Sequence, residues 1–167
     1  MREDEFMRFY DAFAEALFRH CYFRVSERER AKDLVQETFT RTWEYLSRGK
    51  EVENMRAFLY RVANNLIIDE SRRKKALSLD ELSETGFDPP DRSLPIAVTT
   101  EIREALALVH RLDEKHRDLI IMRYVDDLGP KEIAEIIGES ENVVSVRLHR
   151  AVARLRKLNT PKEGDET

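Results

Sequence analysis

Residues 129–158 read GPKEIAEIIGESENVVSVRLHRAVARLRKL, and this stretch carries the main signal of the chain. Gly129 and Pro130 supply a glycine N-cap and a proline at the first helical position. A short helix over 131–137 then ends at Gly138, a residue suited to the left-handed position that closes a helix. Ser140 caps a second helix, which continues to Leu158 and stops before Pro161. Two helices joined by a short glycine-containing turn form the helix-turn-helix pattern. On the second helix Val144, Leu148, Ala151 and Leu155 face the core, whereas Val143, Val146, Arg147, Arg150 and Arg154 face out. Between Asn142 and Leu158 there is no acidic residue. Exposed valines among arginines suit a surface that meets thymine methyls and phosphates. A helical corner of this length is also a common packing device; the acid-free helix favours DNA.

Working backwards, Ile102, Ala105, Leu106, Val109 and Leu112 form a helical stripe, and a further helix covers about 114–124. Residues 83–95 hold Gly86, Pro89, Pro90 and Pro95 with Ser, Asp and Thr between them, a composition that continues neither helix nor strand. The chain therefore divides into an N-terminal domain over 1–75, an acidic Pro-containing flexible linker over 76–100, a helix-turn-helix domain over 101–158 and a disordered tail over 159–167.

The N-terminal block reads as at least three helices. Phe6, Phe9, Tyr10, Phe13 and Leu17 make one apolar stripe. Ser26 with Glu29 has the form of a capping box, which predicts a helix start near Glu27. That helix puts Ala31, Leu34, Val35, Phe39, Thr42 and Leu46 inward and Asp33, Gln36, Glu37, Thr40 and Glu44 on the opposite side. A third helix, about 54–74, turns Leu59, Val62, Ala63 and Leu66 inward and Arg61, Asn65, Asp69 and Arg72 outward. It ends in Arg72, Arg73, Lys74 and Lys75, a run that either complements the helix dipole or attracts phosphate. The polar face at Asp33–Glu44 reads, on periodicity alone, as a solvated surface.

Composition bounds the rest. The 167 residues contain five glycines, five prolines and one cysteine, which favours helices and excludes an internal disulfide or a cysteine-built zinc site. The longest apolar run is Ala105–Val109, far short of the about 20 residues of a membrane span, and the N-terminus carries no signal-peptide pattern. A cytoplasmic protein without membrane insertion is expected. No HExxH, glycine-rich phosphate loop or GxSxG is present. His20 beside Cys21 reads as core, His110 and His116 are wrongly spaced for a metal, and Trp43 reads as packing. Neither enzymatic chemistry, metal nor cofactor is expected. The net charge of −4 predicts weak DNA binding by the isolated chain.

Three stretches together resemble an extracytoplasmic-function (ECF) sigma factor of bacterial RNA polymerase: Asp33-Leu-Val-Gln-Glu-Thr-Phe39; Phe58-Leu-Tyr-Arg-Val-Ala-Asn64-Asn-Leu-Ile-Ile-Asp69 running into Arg72-Arg73; and Lys131-Glu-Ile-Ala-Glu-Ile-Ile-Gly138 with Arg147-Leu-His-Arg-Ala151. The likeness spans about residues 6–158 and implies an all-α protein of two small helical domains. It implies that Asp33, Gln36, Glu37, Thr40 and Glu44 dock on the clamp helices of the polymerase's largest subunit, and that the flap of the second-largest subunit is a further partner. The loop Ser47–Asn54 resembles the segment that captures a flipped base of the −10 element, with Arg61, Asn65, Asp69, Arg72, Arg73 and Lys74 along that strand. Phe58 and Tyr60 are aromatic groups at hand for unstacked bases, or core residues. The −35 duplex falls to Asn142, Val143, Ser145, Val146, Arg147, His149, Arg150 and Arg154. An anti-sigma factor is an implied partner. Val143, Ser145 and Val146 depart from the family's usual polar and basic residues there, Asn142 from a frequent Gly, and Gly129-Pro130 from the usual Ser-plus-aromatic start. The alternatives are a stand-alone helix-turn-helix regulator, whose N-terminal block would dimerise or sense, and an adaptor that binds only protein.

Overall fold

The structure, a computed structural model, describes residues 1–77 and 100–160. The proline-containing linker core at 83–95 and the tail beyond Thr160 lie outside the described residues, as does the side chain of Ile102. The described residues form seven helices and no strand: α1 (Glu3–Val25), α2 (Arg28–Ser47), α3 (Met55–Leu77), α4 (Thr100–His110), α5 (Glu114–Ile120), α6 (Pro130–Ile137) and α7 (Glu141–Asn159). A single π-helical turn, Ile121–Val125, continues α5.

Helices α1, α2 and α3 pack on one another, and α4 to α7 form a second bundle. The two halves touch where α3 meets α6 and where α1 meets the π-turn. One continuous buried cluster runs through both, from Leu17 and Leu34 through Ile121 and Leu128 to Val144 and Ala151. The N-terminal stripe of α1 is only half-buried at Phe6, Phe9 and Phe13, and Tyr10 is exposed. Its deeply buried part is the last two turns, where Leu17, His20, Cys21, Tyr22, Phe23 and Arg24 are all enclosed. A helix covered on one side by α2 and α3 and on another by the second bundle has few solvent positions left.

The inward set of α2 is buried as read, with Thr38 added to it. Thr38 and Thr42 satisfy their hydroxyls by donating to Leu34 O and Thr38 O, each at 2.7 Å. The capping box at Ser26 is not formed. Ser26 is instead the left-handed C-cap of α1, φ +58°, and the N-cap of α2 is Glu27 without a side-chain cap bond. With α1 running to Val25, the joint is too short for Ser26 to take extended N-cap geometry. Ala105 faces solvent instead of the core, while Leu106, Val109 and Leu112 are buried. Α short α4 needs a stripe only as wide as its contact with α5 and α7.

The helix expected over 114–124 changes pitch at Ile121. Asp126 N–H donates to Ile121 O, and Leu128 N–H to Met122 O, both at 3.0 Å. Leu119, Ile120, Ile121 and Met122, four consecutive residues, are all buried across this change of pitch. It also carries Asp126 inward.

The helix-turn-helix forms at the residues read from the sequence. Gly129 is the N-cap of α6, Glu132 accepts from its N–H at 3.1 Å, and Gly138 closes the helix at φ +71°. Ser140 Oγ accepts from Val143 N–H at 3.2 Å. Val144, Leu148 and Ala151 are buried, and Leu155 is half-buried.

Candidate functional site

Three exposed surfaces and one buried cluster account for the polar residues singled out by sequence. On α2, Asp33, Gln36, Glu37, Thr40 and Glu44 are all exposed on the side opposite the core. Thr40 Oγ donates back to Gln36 O at 2.9 Å, and Arg41 pairs with Glu37 at 2.7 Å. The face is therefore acidic but bordered by its own arginine. Trp43 stands next to it, partly exposed, and packs on Phe6 with ring centroids 4.9 Å apart.

On α3, Arg61, Asn65, Asp69, Arg72, Arg73 and Lys74 are exposed. At the start of this helix Asn54 Oδ1 accepts from Ala57 N–H at 3.1 Å, fixing the end of the loop that precedes it. Between loop and helix opens a cavity of about 360 Å³, lined by Tyr45, Glu51–Asn54, Ala57, Phe58 and Arg61 together with Glu135 of α6. Its size falls within the roughly 300–1,000 Å³ of small-ligand sites. The Tyr45 and Phe58 rings lie 4.9 Å apart, and Lys50 sits over Tyr45 at 4.9 Å. Phe58 is thus at the cavity, whereas Tyr60 is buried and edge-on to His20; burial also raises the Tyr60 phenol above its usual range. Sequence reasoning found the loop but missed Tyr45, whose signal was an aromatic group one turn before a loop that turns at Gly49, φ +77°.

On α7, Asn142, Ser145, Val146, His149, Arg150 and Arg154 are exposed. Val143 and Arg147, read as outward, are half-buried. Val143 stands in the first turn against the cap residue Ser140, and Arg147 leans back to Glu139 at 3.6 Å. Arg154 reaches Asp113 at 3.2 Å. The surface is basic, with Val146 as its apolar element.

The buried cluster lies between the two bundles and was not foreseen. His20 Nδ1 bonds Asp126 Oδ2 at 2.5 Å, with both side chains almost fully buried. Arg24 donates to Asn64 Oδ1 at 2.5 Å and to Asp118 Oδ2 at 2.8 Å. Burial holds the Asp118 carboxyl above its ordinary range in spite of Arg24. At the edge, Arg56 donates to Glu132 at 3.2 Å and to the Asp126 carbonyl at 3.0 Å. Ser71 and Lys75 both reach Glu114, at 3.1 and 2.8 Å. These ligands are spent on one another, and no group of His, Cys, Asp or Glu among the described residues has metal-binding geometry.

Residues 9–77 match the Sigma-70 region 2 family and residues 102–155 match Sigma-70 region 4. The RNA polymerase sigma factor YlaC of Bacillus subtilis is 32% identical, over 98% of this chain and 95% of that protein. The ECF RNA polymerase sigma factor SigL of Mycobacterium tuberculosis is 34% identical, over 88% of this chain and 84% of its own. The chain belongs to the ECF sigma factors. It is a promoter-recognition subunit that associates with RNA polymerase in transcription initiation. This ECF sigma factor also shares its fold with solved structures. The sigma factor RpoE bound to the anti-sigma factor NepR, from Bartonella quintana, superposes with a TM-score of 0.78 at 20% identity, over 95% of this chain and 99% of that one. CnrH bound to the cytosolic domain of CnrY gives 0.69 at 22% identity, over 95% and 89%. A region 2 match over α1–α3 is what the stand-alone regulator reading lacks, since that reading made these helices a dimerisation or sensor module. No described helix is long and apolar enough to cross a membrane.

Proposed function

We propose that this sigma factor divides its work among the three exposed surfaces. The acidic face of α2 (Asp33, Gln36, Glu37, Thr40, Glu44) docks on the clamp helices of the largest polymerase subunit. The cavity between loop 47–54 and α3 takes an unstacked base of the −10 element, and Arg61, Asn65, Asp69, Arg72, Arg73 and Lys74 follow the strand. The basic face of α7 enters the major groove at the −35 element, reading it with Asn142, Val143, Ser145, Val146, Arg147, His149, Arg150 and Arg154. The protein performs no chemistry of its own and works in the cytoplasm. In outline its units are residues 1–75 for polymerase and −10 binding, 101–158 for −35 binding, and 76–100 between them. An anti-sigma factor is its regulator, by analogy with the relatives whose structures contain one.

The observation that carries this reading is the cavity of about 360 Å³ lined by Tyr45 and Phe58 beside the exposed Arg61. Aromatic faces stack on any base, and opening a duplex step costs a few kcal/mol that capture of the base offsets. The exposure and regular spacing of the α2 carboxylates fit a protein surface.

The test is co-elution of the purified chain with bacterial core RNA polymerase, with the Asp33→Ala/Glu37→Ala double variant alongside. Co-elution of the wild type and loss in the variant supports the assignment. A wild type that stays free of polymerase and shifts duplex DNA on its own returns the function to a stand-alone regulator.

A further inference from the structure

The cavity between loop 47–54 and α3 is open to solvent, and its polar lining is uneven. Glu51 and Glu53 of the loop and Arg61 of α3 are exposed around it. None of the three has an ion-pair partner among the described residues, whereas Glu37 is held by Arg41, Glu114 by Lys75 and Glu132 by Arg56. Val52, between the two loop acids, packs on the core, which leaves a carboxylate exposed on either side of it. Asn54 Oδ1 is already occupied by Ala57 N–H, and that bond anchors the backbone next to Glu53. Apart from the Tyr45 hydroxyl, which can donate or accept, the loop and α3 thus present two carboxylates that only accept and one guanidinium that only donates.

A DNA strand brings phosphates, which carboxylates repel, and base edges, some of which carboxylates bind. Adenine, cytosine and guanine each carry an exocyclic amine, a donor that an ionised carboxylate accepts. Thymine carries none and offers a carbonyl oxygen where cytosine has its amine. A thymine in this cavity therefore sets acceptor against acceptor at Glu51 and Glu53, while the other three bases find a partner there. Ring stacking on Tyr45 and Phe58 does not make the distinction, because every base has a π-face. The choice of base falls to the edge contacts.

We propose that Glu51 and Glu53 make this cavity selective for a base bearing an exocyclic amine: the carboxylates accept from the amine, Arg61 donates to an acceptor of the same base, and thymine is refused. Glu53 is the main acceptor, since Asn54 anchors the backbone beside it. This rests on the reading of the cavity as the −10 base site and adds to it the class of base. It also gives the two acids a use beside a polyanion, where their charge otherwise only opposes binding.

The test uses holoenzyme assembled from bacterial core RNA polymerase and the full chain as wild type, Glu51→Gln, Glu53→Gln or Phe58→Leu. Glutamine keeps the shape of two exposed residues that have no partner to lose, and leucine keeps the half-buried Phe58 position apolar while removing its ring. The probe is a fluorescein-labelled single strand covering the −10 region of a promoter that the wild-type holoenzyme selects from a random library, with binding read by anisotropy. Abasic substitution along the strand locates the captured base, the position where base loss weakens the wild type and costs Phe58→Leu least. That position should hold adenine, cytosine or guanine. Changing it to thymine should weaken wild-type binding about tenfold, the size of one base-edge contact. Replacing only the amine of the original base by hydrogen should do the same, although stacking is kept. Glu53→Gln should largely abolish both differences, because an amide can turn its N–H to a carbonyl, and Glu51→Gln should reduce them less. A structural role for these glutamates would instead lower affinity for every base alike. Thymine at the captured position, or differences equal in the wild type and both glutamine variants, overturns the selection and leaves the cavity reading standing. If no position separates the wild type from Phe58→Leu, or the wild type forms no holoenzyme, the cavity reading falls and the selection with it.

Discussion

At the scale of the residue, burial decides what each ionisable group does. Burial, helped by Arg117, lowers the His110 imidazole to about 4, and the Phe23 backbone opposes that shift with a hydrogen bond. The folded state thus prefers neutral His110, and its contribution is complete above pH 6.5. It is lost as pH falls from there towards 4, because only the unfolded chain binds the proton easily. Replacing His110 with Gln removes this one proton: the plot of melting temperature against pH should be flatter between 6.5 and 4 than in the wild type, and an equal slope would reject the assignment. Cys21 shows the complementary case. Burial pushes its thiol up to about 12, so N-ethylmaleimide at neutral pH should leave it unmodified until denaturant is added. Neighbouring residues part in the same way. Asn64 is buried as the acceptor for Arg24, while Asn65 is exposed on the candidate DNA face. Helical periodicity separates that pair, but only the packing of α1 on α3 tells what Asn64 binds.

At the scale of the element, the helix-turn-helix was the most legible part of the molecule because its signals are local. A glycine in left-handed geometry, a serine accepting from the third residue on, and a proline where no N–H is required all act within a few bonds. Ser140→Ala should therefore cost about 1 kcal/mol by loss of the cap. Gly138→Ala should cost a similar amount, about 1 kcal/mol, since φ +71° burdens any Cβ even though open space surrounds the position. Chemical denaturation of each variant measures both. Val146, exposed in the middle of the α7 face, gives the matching functional prediction. If its methyls meet a thymine, Val146→Ala should relax selection at one −35 base pair in a promoter library, within the roughly 1–3 kcal/mol of a single base contact; unchanged base preference would remove Val146 from the reading surface. Elsewhere local signals misled. Ser26–Glu29 has the form of a capping box, yet α1 extends to Val25 and turns Ser26 into its own C-cap. The π-turn at Ile121 has no marker in the sequence.

At the scale of the molecule, the two bundles share one core and one polar joint, so they are expected to unfold together. Arg24 stands at the centre of that joint. Arg24→Ala strands the buried Asp118 carboxylate and leaves Asn64 without its donor, a loss of about 3–5 kcal/mol when a buried pair is broken on one side. Calorimetry should show the single transition of the wild type divide into two, as each bundle melts without the other's support. A single transition merely shifted downward would mean that the apolar contacts alone couple the halves.

The sequence by itself determined what depends on near neighbours and periodicity: the helical class, the inward face of α2, the outward rows of α3, the helix-turn-helix, and a family likeness carried by three short stretches in a fixed order. Each of these repeats every few residues or sits within one turn. The tertiary structure alone decided which polar residues serve the interior. His20 and Asp126 are separated by 106 positions and Arg24 and Asp118 by 94, and nothing along the chain distinguishes an aspartate that will meet a buried histidine from one that will meet water. The same holds for Glu135, an exposed residue of α6, whose place at the cavity beside α3 follows only from how the second bundle settles on the first. Long-range pairing of charges is a property of packing, and no local pattern along the chain encodes it.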